Sequence, residues 1–331
     1  MNINKIFLTA LMLFTAATAK AGSYGGEFMN LGVGARAQGM GGAYGPLADD
    51  ASAIYWNPAG LAGLVRPEIM FCHTQLFGGL ANHDFLGLAW PLSRRLSLGL
   101  GWIRLGVDDI PRFSYDVGTV STGSFGDNEN AVYVSSAFQS KASPWGKPLK
   151  LSAGGSVKII ANKLDDRQAS GLGMDLGVQA KLWLAEWLAV RSANQVIVGM
   201  EPAVVGRSNW GFLGVSLTVQ DVGGTSISWN TPSQHNDVKS VGYRAGIAYT
   251  QPVFPWRSQI ILSAETSSQS YQKGRLGVEI DYRNLLSARL GRDQNELVWG
   301  GGMKVWRLRF DYAYTPHQLG SSHRVGCSLK L

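Results

Sequence analysis

The sequence predicts an all-β protein: a transmembrane antiparallel β-barrel of about 14 strands with an N-terminal plug segment. Three observations predict it. Apolar and polar residues alternate in one run after another at the length of a membrane-spanning strand; the connections between runs alternate between long and short; and tryptophans gather at one shared end of the runs. The expected boundaries are a signal peptide over residues 1–21, the plug segment over 22–66 and the barrel over 67–331.

Composition narrows the class before any run is read. Of 331 residues 42 are Gly, and charged residues make up only 16%, where a soluble globular domain carries about 25%. That balance is too apolar for a disordered chain and too glycine-rich for a helical bundle. Beyond the N-terminus no uncharged apolar run reaches the roughly 18 residues of a spanning helix; the longest, Leu182 to Val190, is interrupted by Glu186. At the N-terminus Lys5, the apolar stretch Ile6 to Ala17 and Ala19-Lys20-Ala21 follow the layout of a secretory signal. Removing it takes away Lys5 and Lys20 and no acid, so the net charge falls from +7 to +5. With neither a basic stripe nor a basic run, nucleic acid is not an expected partner.

The alternation is clearest from Arg275 to Arg283, where every even residue is apolar and every odd one is Gly or charged. Successive side chains of a strand point to opposite faces. In a membrane the apolar face meets lipid, and Arg275, Glu279, Asp281 and Arg283 face a lumen. The same rhythm recurs at 172–180, 213–219, 241–249, 306–314 and 325–331, with weaker runs near 68–75, 83–91, 96–105, 130–139, 149–161, 258–266, 285–291 and 296–304. The total of about fourteen is even, as bacterial barrels require.

Connection lengths test the count. If 68–75 runs outward, the external connections 106–128, 162–170, 221–239 and 315–322 are comparatively long, while 92–95, 251–257, 284 and 305 are tight internal turns. Residues 183–209 break the rule; Leu182 to Ala193 reads there as an interfacial helix carrying Trp183 and Trp187, and a hidden strand pair would raise the count to sixteen. By the same parity Trp90, Trp145, Trp183, Trp210, Trp256 and Trp306 share the periplasmic end, as indoles at a membrane interface should.

Residues 28 to 66 do not alternate. Gly32-Val33-Gly34-Ala35-Arg36-Ala37-Gln38-Gly39-Met40-Gly41-Gly42-Ala43-Tyr44 is followed by Asp49-Asp50-Ala51-Ser52-Ala53-Ile54-Tyr55-Trp56-Asn57-Pro58-Ala59-Gly60-Leu61. Physically this block reads as a plug: glycines permit close backbone approach, Pro46 opens a short helix through Ile54 with Asp49 and Asp50 near its positive end, Arg36 has acids within reach, and Trp56-Asn57-Pro58 forms an ordered turn. The block resembles the opening of the PorV/PorQ family of outer-membrane barrels, which are related to FadL-type transporters of hydrophobic compounds. The chain end is similar to the same family through Asp311-Tyr312-Ala313-Tyr314, Leu319-Gly320 and Ser322-His323-Arg324-Val325, but closes on Leu331 where an aromatic residue is usual. The resemblance implies a fourteen-stranded barrel of the outer membrane with its N-terminal segment in the lumen. It also implies a non-enzymatic secretion-associated protein whose outer loops bind an exported protein or a partner barrel. The FadL relationship implies instead a passive transporter of small hydrophobic molecules.

No catalytic constellation is apparent. His73, His83, His235, His317 and His323 are scattered singly, without HExxH or Cys-x-x-Cys, so no metal, cofactor or catalytic residue is assigned. Cys72 and Cys327 fall on the first and last strands, where a seam-crossing disulfide and two unpaired thiols are both conceivable. For partner binding, the 106–128 and 221–239 loops offer Ile110, Phe113, Tyr115 and Trp229 as apolar and aromatic anchors. The register makes one sharp prediction: Val278→Arg, on the lipid face, should cost about 2 to 4 kcal/mol near the bilayer midplane, while Glu279→Ala on the lumen face should be milder. Unfolding of the two variants in a membrane-folding assay checks the order.

Overall fold

The computed structural model describes residues 25–113, 120–140, 149–184, 210–269, 274–293 and 295–331. Its strands are β1 (Glu68–Leu76), β2 (Ala81–Pro91), β3 (Leu96–Phe113), β4 (Ser121–Gln139), β5 (Leu149–Leu164), β6 (Arg167–Trp183), β7 (Phe212–Gln220), β8 (Thr225–Trp229), β9 (Asn236–Lys239), β10 (Gly242–Val253), β11 (Ser258–Ser267), β12 (Gly274–Tyr282), β13 (Leu286–Asp293), β14 (Glu296–Val305), β15 (Leu308–Thr315) and β16 (Ser322–Lys330). Each pairs antiparallel with its neighbours, β7 passes directly to β10, and β1 closes on β16 through Glu68↔Lys330 to Gln75↔His323. Fourteen strands therefore form a closed ring, which leaves no unpaired sheet edge to meet lipid.

The wall sorts side chains as the alternation requires. On β1 and β12 buried and exposed residues alternate without a break, and Ile69, Phe71, Leu86, Leu100, Val134, Ile159, Val178, Ile247, Val278 and Leu290 are exposed on the outer face. An outward apolar wall around an inward polar one is the inverse of a soluble core and fits a bilayer. Trp90, Trp183, Trp210, Trp256 and Trp306 all lie at the rim where the short turns 92–95, 254–257, 283–285 and 306–307 sit, here called the turn rim; Trp145 lies outside the described residues.

Four expectations need correction. Residues 106–128 are mostly strand, because β3 and β4 run past the ring as a long hairpin. The connection expected at 162–170 is a tight turn at Asp165 and Asp166, with Asp165 at φ 56°. Residues 221–239, expected as an external connection, carry β8 and β9, which pair with the outer end of β6 through Ala169↔Trp229, while the strand pair considered for 183–209 falls, from residue 185 on, outside the described residues. Leu182 and Trp183 belong to β6, so the expected helix does not begin there; Leu184 is helical, and residues 185–193, with Trp187, lie outside the described residues, as do residues 1–24. Of the two cysteine readings the free pair holds: Cys72 is buried inward and Cys327 sits on the outward parity of β16, so their side chains leave opposite faces of the wall.

Residues 25–66 line the inside of this ring. Their only regular pieces are α1 (Ala35–Gly39), α2 (Ala53–Trp56) and two 3-10 turns, Glu27–Asn30 and Pro58–Gly63. Such short helices are not stable alone, so the conformation is supplied by contact with the wall. Inward-facing glycines make that contact possible. A Cβ at Gly154 of β5 would lie 2.6 Å from Pro58, one at Gly246 of β10 2.7 Å from Pro46, and one at Gly277 of β12 2.5 Å from the Met40 carbonyl oxygen. Gly277→Ala should therefore destabilise the folded protein by about 1 to 3 kcal/mol, the ordinary cost of overpacking. Gly274→Ala on the same strand, where an added Cβ meets nothing within 4 Å, should be near neutral. Thermal unfolding in detergent micelles compares the two, and equal tolerance would overturn the packing.

Candidate functional site

Arg36 sits in the last turn of α1 and is reached from two directions. Its Nη1 is 2.7 Å from Asp49 Oδ1 and its Nη2 is 2.8 Å from Glu279 Oε1 of β12. Glu279 is fully buried and also meets Arg289 Nε of β13 at 2.5 Å; Arg289 Nη1 in turn lies 2.8 Å from Asp311 of β15. One guanidinium of the inner segment thus completes a charge chain running along three wall strands. The Tyr44 hydroxyl donates to Asp50 Oδ2 at 2.6 Å, and Asp50 Oδ1 accepts from the amide and hydroxyl of Ser52. Burial alone would raise the Asp49 carboxyl, but Arg36, with Lys181 and Lys330 beyond it, holds it below the ordinary carboxylate range. The stability this arm adds is present above the ordinary value of about 3.9 and is lost as pH falls through the lowered one.

The remaining sequence-predicted residues of the segment form its apolar end. Trp56 is buried, with its indole donating to the Val33 carbonyl at 2.9 Å. Asn57 Oδ1 accepts from the Ala59 amide, and its Nδ2 donates to the Val178 carbonyl of β6, which fastens the turn before Pro58 to the wall. Pro46 does not open a helix; it packs against the inward glycines Gly214 and Gly246, and the helix α2 begins only at Ala53.

Several residues of the site have partners that the sequence does not indicate. Arg244 of β10 lies 4.7 Å and 5.0 Å from the ring centroids of Tyr55 and Trp56 and donates to the Tyr55 hydroxyl. Glu265 of β11 accepts from the Gly45 amide. At the loop end Lys158 of β5 is buried between Asp175 (2.8 Å) and Asp221 (2.5 Å), and Lys239 of β9 donates to Gly26 O and Asn30 Oδ1. Strand parity finds the inward face of Lys158, Asp175 and Arg244 but not their partners, and Asp221 and Lys239 fall in the stretch read as a loop.

Of the four proposed anchors three are described, and Trp229 does not join the other two. Phe113 is exposed and Ile110 half-buried near the tip of β3, whereas Trp229 belongs to β8, donates to Asp237 at 2.7 Å and packs on the apolar cluster. Trp229 is therefore committed to the fold, not free as an anchor. Tyr115 lies outside the described residues.

Two cavities open at the turn rim beneath the segment. One, of about 480 Å³, is lined by Arg36, Asp49, Asp50, Lys304, Lys330 and their neighbours. The other, of about 490 Å³, lies beside the segment's exit at Ala62 to Val65.

No protein-family model matches the sequence, and no curated protein matches it. Among solved structures the chain is similar to a Pseudomonas aeruginosa FadL homologue, with 12% identity, TM-score 0.48, and coverage of 90% of this chain and 98% of that one. It is also similar to the Pseudomonas putida toluene transporter TodX and to the monoaromatic hydrocarbon channel CymD, each with 12% identity, TM-score 0.49, and coverage of 90% and 96%.

The Glu279 geometry reverses the mild outcome expected from the alternation alone. Glu279→Ala would take the shared carboxylate from two buried guanidiniums, leaving Arg36 only Asp49 and Arg289 only Asp311, and breaking a buried ion pair from one side costs about 3 to 5 kcal/mol. Denaturant unfolding in micelles should show that loss, and a change below about 1 kcal/mol would remove Glu279 from its central place.

Proposed function

We propose that the protein is a gated outer-membrane barrel that passes small apolar molecules, with residues 25–66 as the plug and Arg36 as its latch. The observation that carries this reading is a single apolar cluster that follows the interface between segment and wall. It runs from Phe28, Ile227 and Trp229 under the loop hairpins, through Tyr55, Ile54 and Ile103, to Leu61 and Leu64 at the turn rim. A polar solute needs a water-filled bore, and the segment fills the bore. An apolar molecule needs apolar surface, and the interface supplies it from one end to the other when the segment shifts. A ligand moves such an equilibrium only by binding the shifted state better, and the charge chain at Glu279 sets how far it must be moved.

The secretion-associated reading rests on the resemblance of the chain ends and on the charged lumen, and the inward charges are taken up in pairing the segment to the wall. Among the described residues the docking anchors of that reading are an exposed Phe113 and a half-buried Ile110, short of the clustered buried anchors that carry a protein interface.

The test uses the full chain folded in liposomes and, in parallel, expressed in cells. Arg36→Ala should change the entry rate of an apolar fluorescent probe several-fold, and shortening 106–128 should leave it unchanged. Heat-modifiability confirms that each variant keeps its barrel. Unchanged probe entry in Arg36→Ala, together with loss of exported-protein capture on loop shortening, would reject transport in favour of a secretion role.

A further inference from the structure

The cavity at the segment's exit has a composition that the transport reading does not use. Among the described residues its lining includes Lys150, Lys181 and Arg94 and not one acid. Lys150 of β5 and Lys181 of β6 are direct cross-strand partners, both on the inward parity. Like charges placed opposite each other destabilise a sheet; solvent screens part of that repulsion at the exposed Lys150, and an anion joining the pair would remove the rest. None of the three cations enters an ion pair among the described residues.

Aromatic rings hold the ammonium groups in place. Lys150 Nζ lies 5.2 Å from the Trp183 ring centroid and Lys181 Nζ 5.9 Å from that of Phe212, while the two rings stand 6.2 Å apart. Ring faces orient a cation without neutralising it. The Trp183 indole nitrogen, buried in the lining, has no hydrogen-bond partner. An N–H has only donation to offer, so it asks for an acceptor, as the cations do. Lys181 also lines the neighbouring cavity and is partly offset there by the Asp49 carboxylate, whereas Lys150 and Arg94 line only this one of the two; with the idle donor they still leave the cavity an excess of positive charge for an anion to meet. Lysines bind phosphate as point charges, and about 490 Å³ falls within the usual size range of small-ligand pockets.

We propose that this cavity is a binding site for a phosphate-type dianion, carried by a soluble phosphate ester or by the headgroup of a lipid in the adjoining leaflet. Lys150 and Lys181 neutralise it from one side, Arg94 closes the other, and the Trp183 N–H fixes an oxygen.

The experiment takes the full chain folded in detergent and titrates glycerol phosphate by calorimetry; a second arm measures the melting temperature in discs of phosphatidylcholine with and without phosphatidic acid. Glycerol phosphate should bind, more weakly as salt rises. Lys150→Gln with Lys181→Gln should weaken it at least tenfold, Arg94→Gln and Trp183→Phe several-fold, and Arg66→Gln, at the same rim but outside the lining, not at all. Stabilisation by phosphatidic acid alone, lost in the Lys150/Lys181 variant, identifies the lipid as source; saturation by glycerol phosphate identifies the soluble ester. The site is overturned if neither probe acts, if Arg66→Gln weakens binding as much as the lysine changes, or if acetate binds as tightly as glycerol phosphate.

Discussion

A carboxylate with no access to water is stable only if cations surround it, and Glu279 meets that condition with one cation from the wall and one from the inner segment. Taking such a charge out of water costs several kcal/mol before any partner is counted. Arg289 reaches one of the two Glu279 oxygens, Oε2. Arg36 takes the other, and in doing so ties α1 to β12 at a fixed height in the barrel. The other contacts of the segment follow from that height: Pro46 reaches the glycines of β7 and β10, Ile54 those of β3, and Asn57 the backbone of β6.

The glycine content has the same origin. In a barrel of fourteen strands the lumen is too wide for wall side chains alone to fill and too narrow for a second domain. A single irregular strand of chain fits if the wall presents hydrogen atoms where it passes. Gly154, Gly246 and Gly277 stand at points where a Cβ would strike the segment's own atoms. The sequence therefore shows the wall and its filling together: alternating runs with large residues outward and glycine or charge inward, preceded by a block that does not alternate.

This explains why strand positions were legible and the contacts inside were not. Alternation is a property of neighbouring residues, and all fourteen ring strands overlap the runs that display it. Hairpin length is less local. The polar stretches Gly106 to Asn128 and Asn162 to Ser170 look like loops because they lack the outward apolar residues that mark a membrane-spanning strand, yet they continue β3 to β6 beyond the bilayer, where polar residues on both faces are tolerated. In the site, Arg36, Asp49, Asp50, Trp56 and Asn57 could be singled out by type within an otherwise small-residue block. Their partners Glu279, Arg289 and Arg244 could be placed on the inward face, but the pairing of position 36 with position 279 depends on how the segment winds through three dimensions.

The two kinds of contact also set how the segment can move. Its apolar contacts are spread along its length and are lost gradually, each in proportion to the area exposed. The charge chain is concentrated at Arg36 and is lost at once when the guanidinium leaves Glu279. After that step Glu279 and Arg289 still neutralise each other on the wall, and water entering from the turn-rim cavity beside Arg36 can solvate the rest. Complete removal of the segment would strip Trp56, Tyr44 and Ile54 of their packing and expose the glycine-lined wall as well. A small displacement that parts the apolar seam while Asn57 stays fastened to β6 is therefore far less costly than ejection, and it leaves the fourteen-stranded wall unchanged.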